Sequence, residues 1–272
     1  MTANGRMGGK ILADGLKAQG VDAIFGVPGE SFLALLDGLY DQRDTIRFIT
    51  CRQEGGAANM AEAYGKLTGR PGVCVVTRGP GATNASVGLH TAFQDSTPMI
   101  LLVGQVGREM LDREAFQEVN HQIFFSEMSK WSAEIKDASR IPEYLSHAFH
   151  VALSGRPGPV VLSLPEDLLR DVAAVEDAPR AIPVQPAPTM EQMSEVREML
   201  KNAERPLMIL GGSGWSPEAC RFITDFAEQQ DLPVALHSVV RTGWTMTTGV
   251  MSVTLELDPT PNCISLSRIQ IC

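Results

Sequence analysis

Short runs of β-branched and other apolar residues alternate along most of this chain with longer stretches of helical period, and that alternation restricts the fold more than any other feature. Residues 22–27, 46–50, 73–77, 99–103 and 160–164 read as strands. Residues 31–40, 55–67, 82–94 and 141–153 read as the helices between them. Continuous apolar runs suit strands buried on both faces, and strands joined through helices run parallel. The expectation is therefore an α/β fold, a doubly wound parallel sheet with helices on both faces.

The first domain is expected over residues 1–170. Residues 171–189 read as a Pro-rich linker, because four prolines within 177–188 favour extended backbone and deny helix. A second, incomplete α/β domain is expected over 190–238. In it, residues 190–203 read as a helix, 207–210 as a strand, 217–229 as a helix with Ser216 at N-cap and Pro217 at N1, and 233–236 as a strand. The tail 239–272 has no amphipathic period and reads as aberrant. Codons permitted from Val239 onward, taken in another frame, give a plausible continuation of the second domain, so a frameshift near Val239 is expected.

Composition excludes several classes. The 272 residues carry a formal net charge of −9 without any Lys/Arg-rich run, which removes the electrostatic footprint that nucleic acid requires. No apolar run approaches the roughly 20 residues that span a bilayer, so no membrane partner is expected. The five cysteines form no CxxC and no zinc spacing with histidine, and read as reduced thiols of a cytoplasmic protein.

Chemistry concentrates where strands hand over to helices. Glu54 opens the run Glu54-Gly55-Gly56-Ala57-Ala58-Asn59 at the carboxyl end of the second strand, where open α/β sheets bind ligands. The same carboxylate has a plain structural use as a first-turn acid at a helix N-terminus, and taken alone this feature leans that way. A second loop, Thr77-Arg78-Gly79-Pro80-Gly81-Ala82-Thr83-Asn84, follows the third strand and reads as a tight Gly-Pro-Gly turn exposing backbone donors. A third, Gly26-Val27-Pro28-Gly29-Glu30-Ser31, repeats the arrangement at the first strand.

In this order, the three loops resemble the pyrimidine-binding domain of thiamine diphosphate enzymes, particularly the acetolactate synthase-like branch. Further segments carry the resemblance: TAFQDSTPMILLVGQV, AFQEV and SGRPGPVVLSLPEDLL. It implies thiamine diphosphate as cofactor and 2-oxo acids as substrates, decarboxylated or ligated through a carbanion at the cofactor's C2. Glu54 is implied to hydrogen-bond N1′ of the aminopyrimidine, favouring the tautomer whose 4′ nitrogen takes the C2 proton. Gln117 is implied on the substrate side; Pro28, Gly29, Gly79, Pro80, Gly81, Asn84 and Gln94 are implied around the cofactor. A homodimer or tetramer is implied, since in the family each active site pairs this domain with the diphosphate domain of another subunit.

The departures matter as much. Family members commonly carry Lys where this chain has Glu166, which reverses the charge and puts pyruvate–pyruvate condensation in doubt. The GDG motif of the diphosphate domain, which holds Mg²⁺, does not occur in this sequence, and no metal ligands are expected within it. FAD contact is implied only weakly, through the second domain. Two other readings stay open: a truncated, inactive remnant or partner-binding fragment, and an NAD-linked oxidoreductase built on Gly211-Gly212-Ser213-Gly214, whose glycine spacing is imperfect.

Overall fold

The computed structural model describes residues 5–212, 215–236, 252–254 and 269–270. The chain divides into two compact units, Met1–Gln185 and Pro186–Cys272. In the first unit a short strand β1 (Arg6–Met7) leads into α1 (Gly8–Ala18), followed by β2 (Ala23–Gly26), α2 (Leu33–Asp41), β3 (Arg47–Thr50), α3 (Glu54–Thr68), β4 (Gly72–Thr77) and α4 (Arg78–Gln94). Next come β5 (Met99–Gln105), a one-turn α5 (His121–Phe124), β6 (Trp131–Glu134), α6 (Ile141–Leu153), β7 (Pro159–Pro165) and β8 (Val172–Ala173).

Six of these strands form one parallel sheet in the order β3-β2-β4-β5-β7-β6. Strict alternation along each central strand sends side chains to two separate cores. Val73, Val75, Ile100, Leu102, Val160 and Leu162 join α1, α2 and α6 on one face. Cys74, Val76, Met99, Leu101, Val103 and Val161 join the alanine-rich faces of α3 and α4 on the other. Leu101 and Leu102 are completely buried, one on each face, and burial of such a side chain contributes about 1.5–3 kcal/mol. This confirms the doubly wound sheet.

Strand order places the ligand-binding edge. From β2 the chain steps outward to β3, then returns to lay β4 on the opposite side of β2, so the order reverses between β2 and β4. Loops leaving the carboxyl ends of these two strands diverge and open a crevice.

Several elements differ from the sequence expectation. The helix α1 begins at Gly8, in a stretch whose glycines hide its period, and is fixed by Gly8 N–H to Asp171 O and Gly9 N–H to Leu169 O, both 2.8 Å. The edge strand β6, Trp131-Ser132-Ala133-Glu134, has too few apolar residues to announce itself. Part of the Pro-rich stretch lies on the first unit: β8 pairs with β1, Ala181 is buried, and the Gln19 amide receives Ala181 N–H at 2.9 Å while donating to Pro179 O at 3.0 Å.

The second unit contains α7 (Met190–Asn202), β9 (Met208–Leu210), α8 (Pro217–Gln229), β10 (Val234–Leu236), β11 (Ser252–Thr254) and β12 (Ile269–Gln270). Ser216 caps α8 as expected, its Oγ accepting Ala219 N–H at 3.0 Å, and α7 opens with a capping box between Thr189 and Gln192. The sheet order is β12-β11-β10-β9. Two strands thus follow where the sequence pattern offered no closing element. The rest of the tail from Val239, and with it the expected frameshift, lies outside the described residues, as do His237 and the Ser213-Gly214 part of the glycine loop.

Candidate functional site

Three loops meet at the carboxyl edge of the six-stranded sheet. The loop after β2 carries Pro28, exposed, and Gly29, half-buried, then a 3₁₀ turn Glu30–Phe32. Ser31 is buried, and its hydroxyl lies 2.7 Å from the Thr77 hydroxyl at the end of β4. This hydrogen bond ties the loop after β2 to the end of β4 across the crevice.

Glu54 is the first residue of α3. Gln53 caps the helix, its Oε1 accepting Gly56 N–H at 2.7 Å, so the cap does not need the Glu54 carboxylate. Glu54 is half-buried, and Asn84 on α4 donates to its Oε2 at 2.9 Å. Among the described residues nothing bonds Oε1. The carboxylate sits in the favourable field of a helix N-terminus while keeping one oxygen free for another donor. Cys74 lies close by: burial pushes its thiol well above the usual range, and Cys51 and Glu54 add to the rise.

The second loop corrects the sequence reading. Gly79-Pro80-Gly81 does not form a turn ahead of the helix; it is the first turn of α4, which begins at Arg78. Nor is the Gly79 N–H free, since it is spent on Gln117 O at 2.8 Å, and Pro80 has none. A Cβ on residue 79 would fall 2.8 Å from Val119 Cγ2 and 2.9 Å from Gln117 O, so only glycine lets the two loops touch. Pro80 is exposed and Gly81 is buried against Val76.

Gln117 itself adopts φ +64°, a left-handed conformation that costs a non-glycine residue about 1–3 kcal/mol. The segment after it is pinned from the sheet, with Gln105 Nε2 donating to Val119 O at 2.9 Å. His121, buried, places Nδ1 2.9 Å from the Ser163 hydroxyl, which also approaches Glu134 Oε2 at 3.5 Å. Burial pushes the His121 imidazole down to about 4 and raises the Glu134 carboxyl.

Arg78 was not singled out by the sequence, and neither was its partner relation to Glu166. Its Nη2 donates to Glu166 Oε2 at 2.8 Å, so the reversed charge at residue 166 is met by a cation on the neighbouring loop. Arg78 Nε is buried without a partner among the described residues, an omission of the kind that costs about 1–3 kcal/mol. Its φ is +43°.

The fold therefore joins Glu54 to Asn84, Gly79 to Gln117, and the Gly29 loop to Thr77. It does not bring in Gln94, the exposed last residue of α4, which lies about 24 Å along the helix from Arg78 at 1.5 Å per residue. No group of three or more His, Cys, Asp or Glu that could hold a metal occurs among the described residues. No helix among them is long and apolar enough to cross a membrane.

A doubly wound sheet with a carboxylate at one strand's end and a glycine-proline loop at the next is an α/β domain of the kind that binds ligands at the carboxyl ends of its strands. Residues 6–124 match the thiamine pyrophosphate enzyme family at its N-terminal TPP binding domain, and most of the chain is similar to acetolactate synthases. It is 34% identical over 238 residues to the acetolactate synthase of Mycobacterium bovis, covering 86% of this chain and 38% of that protein. To the acetolactate synthase isozyme 2 large subunit of Escherichia coli it is 34% identical over 228 residues, covering 83% and 41%. To the probable acetolactate synthase large subunit of Methanocaldococcus jannaschii it is 37% identical over 238 residues, covering 84% and 39%. The chain thus spans about two fifths of the length of these curated relatives.

Proposed function

We propose that this chain supplies the pyrimidine half of a thiamine diphosphate site in an enzyme that acts on 2-oxo acids. The observation that carries the reading is Glu54, placed at the sheet's carboxyl edge, held through one oxygen by Asn84 and with no partner at the other among the described residues. A carboxylate so held suits a ring nitrogen that gains a proton, because its position is fixed before the ligand arrives. Thiamine diphosphate, when bound, supplies a nucleophilic carbon toward the oxo group of the substrate.

The residues divide the work. Glu54 Oε1 would hold N1′ of the aminopyrimidine and keep a proton at that atom. Asn84 fixes the carboxylate's rotamer and leaves Oε1 available. The Gly79–Gln117 contact sets the backbone of the loop that faces substrate, and the Gln117 amide would orient a carbonyl oxygen. Diphosphate and its Mg²⁺ fall in this reading to a separate domain, and the complete site to an assembly of at least two subunits. Glu166 in place of the family's common lysine argues against assuming two pyruvates as the substrate pair.

Calorimetry with thiamine diphosphate and Mg²⁺ tests the proposal. It expects cofactor binding that Glu54→Ala abolishes. Equal binding by the variant contradicts it.

A further inference from the structure

The reading above leaves the Arg78–Glu166 pair without a task. Arg78 leaves the carboxyl end of β4, and its side chain reaches past the end of the adjacent β5 to Glu166, just beyond β7. Glu166 is itself fixed there, with its N–H on Gln105 O at 3.1 Å. The next residue along from Arg78 is Gly79, which grips the Gln117 loop. Arg78 thus ties the start of α4 to the end of β7, one residue away from the Gly79 contact with the Gln117 loop. Its side chain is only 12% exposed.

One partner does not account for it. Glu166 engages Nη2 alone, and Nε–H is buried with no acceptor among the described residues. A left-handed backbone at the same residue adds a second local cost. A buried guanidinium with an unused donor is suited to receive a planar anion, because its fork can serve two carboxylates at once. Glu166 then acts as a placeholder, neutralising the cation until an anionic ligand shares it.

We propose that Arg78 is a specificity-determining residue whose Nε–H edge receives the carboxylate of a 2-oxo acid, with Glu166 holding the guanidinium in place. This deepens the proposed function and rests on its 2-oxo acid reading. Phosphate is the rival anion with the same chemistry.

The purified full chain is labelled with ¹⁵N-arginine, and the Arg78 Nε–H resonance is assigned by its loss in Arg78→Lys, which keeps the positive charge. Pyruvate, methyl pyruvate and inorganic phosphate are titrated separately. The proposal expects a saturable shift of that resonance with pyruvate, roughly tenfold weaker or absent with the uncharged ester and with phosphate. A resonance unmoved by pyruvate, moved equally by the ester, or moved by phosphate alone overturns it. Thiamine diphosphate calorimetry on the same sample separates the two ideas. Cofactor binding with an indifferent Arg78 removes this inference alone, whereas failure of cofactor binding removes the reading beneath it. Thermal melting of Arg78→Lys checks that a lost response is not a lost fold.

Discussion

Acidification should weaken the first unit through one imidazole. His121 is 2% exposed, its Nδ1 is paired with Ser163, and its Nε2 is buried with no partner among the described residues. Burial pushes its folded value down to about 4, against about 6.5 for an unfolded histidine. Because the folded value is the lower one, the unfolded chain binds the extra proton first. Stability is then fully present above about pH 6.5 and lost as pH falls toward about 4. The linkage gives a loss of about 2.5 kcal/mol by about pH 4.5 and about 3 kcal/mol below it. Urea unfolding of the wild type and of His121→Asn, between about pH 7.5 and about pH 4.5, isolates the effect, since other carboxylates titrate in both proteins. Glu134, which faces Ser163 from β6, contributes in the opposite sense through its raised carboxyl, and that too cancels in the difference. The variant should start less stable by a constant amount, and the gap should close by about 2.5 kcal/mol on acidification. Parallel curves would refute the reasoning.

Other outcomes follow from packing and exposure. Gly72→Ala should destabilise by about 3 kcal/mol or prevent folding, because its Cβ would meet Ala61 O at 1.8 Å, an overlap with backbone that no rotamer relieves; a melting curve within a degree or so of wild type contradicts this. Alkylation of the native protein should modify Cys51 and Cys220, both half-exposed, well before Cys74, whose thiol is buried and hard to ionise; peptide mass spectrometry reads the order, and early labelling of Cys74 counts against it. Asn84→Ala should lower melting only slightly, since the pair is exposed, yet weaken thiamine diphosphate binding several-fold by releasing the Glu54 rotamer. Calorimetry showing unchanged affinity would remove Asn84 from the positioning role.

The parallel sheet was legible because β4, β5 and β7 are predominantly apolar runs, and α6 and α8 match their expected bounds, each with a proline in its first turn and α8 with a Ser216 cap as well. Elements held by tertiary contacts were not legible. The strand β1 consists of two residues that exist as a strand only by pairing with β8. At the site, Glu54 and the glycine-proline loops stood out by type and position, but their arrangement did not. Asn84 reaching Glu54 joins residues of two helices, and Gly79 meeting Gln117 joins the first turn of α4 to a loop. Arg78 carried no local signal beyond its neighbour's motif, and the reversed charge at Glu166 was visible without its partner. His121 looked like any other histidine, since burial is a property of the folded neighbourhood.

The most direct test asks whether Glu54 addresses one ring nitrogen. Affinity for thiamine diphosphate is compared with affinity for the analogue in which N1′ is replaced by CH, on the wild type and on Glu54→Gln. If the carboxylate bonds that nitrogen, wild type should prefer the natural cofactor by roughly ten- to a hundredfold, the worth of a charge-assisted hydrogen bond, and Glu54→Gln should lose most of the preference. Equal discrimination by the two proteins would place Glu54 outside the cofactor's reach and contradict the account.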